Sequence, residues 1–219
     1  DIILMIISLT GFMGCGKSSV GRELSRLLCC PFMDLDSVIE ERAGRSIPEI
    51  FATDGEAAFR QMEAEALDNI VALPVDSVGP RLRFAQAPPS RGWQNANSVH
   101  QADAPLPHLR QYDLSHAGYC EAGVLALGGG TVMTPECAEM VHEKTLCVYL
   151  RASAETLVRN LEGEAEGRPM LASGEPLNIR IATLMAQRSD TYEKTAHIII
   201  DTDGKSIEEI AIEITNINF

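Results

Sequence analysis

Two hydrophobic periods alternate along the chain. Residues 2–9, IILMIISL, form a continuous apolar run rich in β-branched side chains, the pattern of a parallel strand covered on both faces. After the octet GFMGCGKS (11–18) the spacing changes to three and four. Val20, Leu24, Leu27 and Leu28 then share one stripe and predict a helix over 17–28. PFMDLD (31–36) predicts a short strand ending in two acids, followed by helices over 37–43, 47–53 and 56–72. GVLALGGGTV (123–132) predicts a strand running into a glycine turn. A helix over 135–143, a strand at TLCVYLR (145–151) and a helix over 154–161 follow. A helix over 177–188, a strand at HIIID (197–201) and a helix over 206–214 close the pattern. Alternating strands and helices with buried-type strands imply an α/β fold, a three-layer doubly wound parallel sheet of about five strands.

Two stretches break the periodicity. Residues 73–122 hold six of the eleven prolines, the sole tryptophan and no sustained period, and so read as an irregular insertion within a single domain spanning 1–219. Residues 162–175 are polar and punctuated by Gly163, Gly167 and Gly174, which suits a hinged lid.

Composition narrows the picture. At 45% hydrophobic and 22% charged, the chain has the makings of a packed core and is no disordered polyelectrolyte. A formal charge of −13 opposes general binding to nucleic acid or to anionic membranes. The six cysteines form no C-x-x-C pair and no metal-ligand spacing, so a reducing, cytoplasmic setting is expected. The run 2–9 lacks a basic flank and is too short to span a bilayer, so neither signal peptide nor membrane span is expected. The sequence opens on Asp1 rather than methionine, as a piece trimmed from a longer chain would.

Gly11, Gly16, Lys17 and Ser18 satisfy G-x-x-x-x-G-K-[ST] between a predicted strand and a predicted helix. Glycines let such a loop fold back so that its N–H groups converge on phosphate, and the helix N-terminus adds partial positive charge. Gly14, Cys15, Gly16, Lys17, Ser18 and Ser19 are therefore the expected nucleotide-binding positions. Lys17 is suited to the β and γ phosphates and the Ser18 hydroxyl to Mg²⁺.

The acceptor of the phosphate is sought among polar residues near strand ends. Asp34 and Asp36 share a face at the end of the second predicted strand. Arg60 lies in GEAAFRQMEAEAL, Gly128–Gly130 form the turn after the third strand, and Arg168 lies in the lid. Arg188 falls near the end of the penultimate predicted helix. Two guanidinium forks and a carboxylate suit a small acceptor that is both an anion and a polyol. Taken singly, the acids could cap the following helix, the arginines could be solvated helix charges, and the glycines could be a tight turn. His142 and His197 match no chemical role.

Six motifs in order carry a resemblance: GFMGCGKSSVGREL, FMDLDSVIEERAGRSIPEIF, GEAAFRQMEAEAL, LALGGGTV, GRPML and RSDTYEKTAHIIIDT. Over residues 2–72 and about 123–215 the chain resembles the shikimate kinases. The resemblance implies a P-loop NTPase fold of the nucleoside monophosphate kinase type with a lid. It implies ATP-dependent phosphorylation of the 3-hydroxyl of shikimate, a step of chorismate and aromatic amino acid biosynthesis, by a monomer. It assigns Lys17, Arg168 and Asp36 to catalysis, Ser18 and Asp34 to Mg²⁺, and Asp36, Arg60, Gly129 and Arg188 to shikimate. Arg168 would close over the transferring phosphate, and Arg159 would stack on adenine, although its spacing from Arg168 fits the family poorly. The family has only a short connection where this chain has residues 73–122. Gluconate kinases and nucleoside monophosphate kinases share the P-loop and lid, and a non-catalytic nucleotide-dependent module using the insertion as an interaction arm is the rival from another class.

Overall fold

The computed structural model describes residues 5–71, 122–162 and 175–217. Five strands, β1 (Met5–Thr10), β2 (Phe32–Asp34), β3 (Ala122–Ala126), β4 (Leu146–Arg151) and β5 (Ile198–Asp201), form one parallel sheet in the order β2-β3-β1-β4-β5. Register pairs Ser8 with Leu125 on one side of β1 and with Cys147 on the other. Ile7, Leu9, Val124, Leu125, Val148 and Leu150 are buried, as strands covered on both faces require.

Helices flank the sheet in two groups. Helix α1 (Lys17–Leu28) packs on α8 (Ile207–Thr215), while α5 (Pro135–Lys144) packs on α4 (Gly55–Val71) and on α7 (Leu177–Thr195). Short helices α2 (Leu35–Ala43) and α3 (Ile47–Thr53) lie against α4, and α6 (Ala154–Leu161) lies against α7. A 3-10 turn, Thr131–Met133, follows the glycine turn. All five strands point the same way, so the loops leaving Thr10, Asp34, Ala126, Arg151 and Asp201 gather along one edge, where open α/β sheets bind ligands.

Two expectations are corrected. Asp36 is not on the strand: β2 ends at Asp34, whose extended backbone caps α2, and Asp36 lies in the first turn of that helix. Arg188 is not near a helix end, because α7 continues to Thr195. Its buried stripe runs Ile181, Leu184, Arg188, Tyr192, Thr195, a helical spacing whose second half is carried by polar residues. The expected insertion 73–122 lies outside the described residues except for Ala122, which opens β3, and the lid 162–175 does so except at its two ends. His142 and His197 stack with centroids 4.5 Å apart and planes 4° from parallel. His142 Nδ1 lies 3.1 Å from the Thr195 carbonyl, and the Cys147 N–H donates to His197 Nδ1 at 3.0 Å. The pair fastens α5 and α7 to the β4–β5 side of the sheet.

Candidate active site

Between β1 and α1 the chain turns through Gly14 at φ 80° and Gly16 at φ 91°, left-handed values that favour glycine. Gly16 is the N-cap of α1, with no side-chain cap and no acid in the first helical turn. The leading N–H groups of α1 therefore have no capping side chain of their own helix, which suits them to receive a phosphate. Lys17 is 9% exposed, and its ammonium is folded back on its own loop, donating to the carbonyls of Gly11 (2.8 Å) and Phe12 (3.0 Å). The Ser18 hydroxyl donates to Asp34 Oδ2 at 2.6 Å. From α6, Asn160 Nδ2 donates to the Gly14 carbonyl at 2.9 Å and braces the loop.

These groups line a cavity of about 620 Å³, within the size range of nucleotide and cofactor sites. Gly14, Cys15, Gly16, Lys17, Ser18 and Ser19 form its floor, and Asp34, Asp36 and Gly129 lie at one end. At the other end are Thr156, Arg159 and Asn160 of α6 together with Gly204, Lys205 and Ile207. Arg159 is exposed and makes one long bond, Nη2 to the Thr156 hydroxyl at 3.4 Å.

The turn after β3 explains its three glycines by what presses on each. A Cβ at Gly128 would come within 2.7 Å of Asp36 Oδ1 and 2.8 Å of Glu63 Oε1. One at Gly129 would lie 3.1 Å from the Met13 nitrogen in the phosphate loop, and one at Gly130 would lie 2.6 Å from Arg60 Nη2. None of the three is in the left-handed region, so the need is for room, not for torsion. The turn is thus the meeting point of an acid, the phosphate loop and a guanidinium.

Arg188 reaches the same turn from α7. It is 7% exposed, lies over the Phe12 ring at 6.0 Å, and donates Nη1 to the Gly129 carbonyl at 3.4 Å. Among the described residues no carboxylate pairs with it. Arg60, by contrast, is held by two: Nη1 donates to Glu63 Oε2 at 2.6 Å and Nη2 to Glu56 Oε1 at 3.2 Å. Five guanidinium N–H groups leave Arg60 with donors to spare. Arg168 lies outside the described residues.

Burial and the charge of Asp34 push the Asp36 carboxyl up to about 6, with Lys17 opposing and Glu63 and Glu40 adding to the rise. Burial together with three neighbouring carboxylates produces this shift, which suits a group that exchanges a proton near neutrality.

The structure therefore brings Asp34, Asp36, Arg60, Gly129 and Arg188 around the mouth of the phosphate loop, with Arg159 at the far end of the cavity. Sequence reasoning missed three contributors. Glu63 is wholly buried, and besides Arg60 it accepts from the Thr131 hydroxyl at 2.5 Å. Its signal was visible: it occupies the stripe Phe59, Glu63, Ala66, Leu67, Ile70, where an acid must be paired. Asn160 and Tyr192 carried no such signal, since each acts on a backbone carbonyl far away in sequence.

A family model described as shikimate kinase matches residues 13–78 and 114–218. The shikimate kinase of Thermus thermophilus is 37% identical over 208 residues, covering 95% of this chain and 86% of its own length. That of Geobacter sulfurreducens is 35% identical, covering 95% and 87%. Among solved structures, shikimate kinase from Acinetobacter baumannii in complex with shikimate superposes with a TM-score of 0.72 at 26% identity, covering 98% of this chain and 92% of that one. Shikimate kinase from Aquifex aeolicus gives 0.63 at 26% identity, covering 96% and 94%. The five-stranded parallel sheet, its flanking helices and the phosphate loop are those of the P-loop fold of the nucleoside monophosphate kinase type. This chain belongs to the shikimate kinase family.

Proposed function

We propose that the chain transfers the γ-phosphoryl group of ATP to the 3-hydroxyl of shikimate, as a cytoplasmic monomer serving chorismate and aromatic amino acid biosynthesis. The observation that carries the acceptor side is Arg188: a buried guanidinium with no carboxylate partner among the described residues, lying over the Phe12 ring of the phosphate loop, calls for an anionic ligand. Arg188 and Arg60 grip the shikimate carboxylate, and Gly129 offers backbone to the ring. This favours shikimate over a nucleoside monophosphate. Family membership disfavours gluconate kinase and the non-catalytic module.

In phosphoryl transfer the protein's part is positioning and charge stabilisation. Lys17 leaves its two loop carbonyls to meet the β and γ phosphates, while the α1 N–H groups hold the phosphate chain. Asp36 accepts a hydrogen bond from the 3-hydroxyl, aims its oxygen at phosphorus, and takes the proton as the bond to phosphorus forms. Arg168, carried by the GRPML motif, covers the transferring group, and Arg159 lies against adenine. The pairing of the Ser18 hydroxyl with the Asp34 carboxylate supplies the hard oxygen donors that suit Mg²⁺. Mg²⁺ held there would neutralise charge between the β and γ phosphates. Among the described residues no helix is long and apolar enough to cross a membrane.

The test is coupled ADP release with shikimate, with gluconate and without acceptor. Release that depends on shikimate is expected. Equal release with gluconate, or nucleotide binding without turnover, would overturn the proposal.

A further inference from the structure

Tyr192 has no part in the roles above, yet it sits against them. It is 1% exposed, and its hydroxyl donates to the Gly129 carbonyl at 2.5 Å. Arg188, one turn earlier on α7, donates to the same oxygen at 3.4 Å. One helix thus aims two donors at a single acceptor in the middle of the glycine turn. The Tyr192 ring is backed by Tyr149 of β4, with centroids 5.2 Å apart and planes 28° apart, so the hydroxyl has little freedom to point elsewhere. Burial pushes the phenol well above its ordinary range despite the nearby Arg188 charge, which keeps it a donor into alkaline solution.

The physical need is specific. Gly129 has no side chain to be held by and little room for one, since a Cβ there would lie 3.1 Å from the Met13 nitrogen. Its carbonyl is the remaining handle. The peptide unit is planar, so fixing that oxygen also fixes the N–H of Gly130 on the opposite side of the same plane. The oxygen must also be satisfied by some donor, since a buried carbonyl without one is costly. With Tyr192 as its close donor, Arg188 stays at the longer distance with N–H groups left over.

We propose that Tyr192 is a positioning residue for the acceptor: its hydroxyl fixes the 129–130 peptide and spares Arg188 from satisfying the Gly129 carbonyl. Removing the hydroxyl leaves Arg188 as the one remaining donor to that oxygen among the described residues. The guanidinium is then drawn onto the turn in competition with the acceptor's carboxylate. This rests on the reading that Gly129 and Arg188 bind shikimate.

The test uses the full chain with Tyr192→Phe, which keeps the ring packed on Tyr149, and Arg188→Ala in parallel. Initial rates are measured with each substrate varied at saturating concentration of the other. For Tyr192→Phe the shikimate KM is expected to rise about five- to tenfold, the effect of one buried hydrogen bond. The ATP KM should stay within about twofold, and the ratio of variant to wild-type kcat/KM should be flat with pH. An unchanged shikimate KM in Tyr192→Phe, with a raised one in Arg188→Ala, overturns the role of Tyr192 and leaves the acceptor site standing. An unchanged shikimate KM in both variants removes the acceptor site as read here. Equal rises in the two KM values for Tyr192→Phe mean general loosening and also overturn the proposal.

Discussion

Asp36 carries opposed demands on stability and activity, and Asp36→Asn separates them. Its carboxyl titrates near 6 in the folded protein against an ordinary value of 3.8, burial being the largest cause. A folded-state value above the unfolded one means the native protein holds the proton more tightly. The associated stability is fully present below the unfolded value and is lost as pH rises through the folded one. At neutral pH the ionised carboxylate therefore costs about 3 kcal/mol, and an uncharged amide of the same shape removes that cost. Asp36→Asn is expected to be more stable than wild type by about 3 kcal/mol near pH 7.5, by about 1.5 kcal/mol near pH 5, and by almost nothing at pH 3.5. Urea denaturation in magnesium-free buffer at these pH values measures the series. The same variant should lose about a hundredfold or more in turnover, because an amide cannot take the hydroxyl proton. Wild-type kcat/KM for shikimate should fall as pH drops through about 6 and Asp36 becomes protonated. A variant destabilised at pH 7.5, or a gain that does not shrink with acid, would refute the electrostatic reasoning. Turnover within about threefold of wild type would remove Asp36 from proton transfer.

The glycine turn and the insertion supply two further tests. Gly130→Ala places its methyl against the guanidinium of Arg60, 2.6 Å from Nη2, at a φ of −121° that alanine adopts freely. Stability should fall by about 1–3 kcal/mol and the shikimate KM rise about tenfold, because the guanidinium must move aside and strain its pairing with buried Glu63. An unchanged KM would detach Arg60 from the acceptor. Replacing residues 74–121 by a short turn should leave kcat/KM within about threefold, since loop-closure entropy varies only with the logarithm of length. Lost activity in a variant with a cooperative melt would make those residues part of the site.

Much of the fold was legible because its signals are local. The bounds of α1, α3 and α6 coincide with the spacing of their apolar residues and with the breakers around them. The phosphate loop was legible because one short segment carries both the turn and the helix start. What escaped depends on long-range context. The last turns of α7 bury Tyr192 and Thr195, polar residues that fit a helix stripe only once the glycine turn and His142 are there to receive them. Asp36 passed for a strand residue because Leu35, wholly buried, extends the apolar pattern of β2 by one position past the turn into α2. The triple glycine read as a turn after the third strand, with no sign of what surrounds it. In the folded chain the turn is pressed by Asp36, Glu63, Met13 and Arg60, a crowding invisible until three distant segments meet.

The posture of Lys17 bears on turnover. An ammonium stranded in a dry pocket after ADP left would hold the product back, since departure would expose an unsolvated charge. Here the Gly11 and Phe12 carbonyls stand ready to receive it. Incoming ATP must displace two charge-assisted bonds of about 1.5–3 kcal/mol each, and outgoing ADP lets them re-form. Weaker grip at the start of each cycle is the counterpart of easier departure at its end.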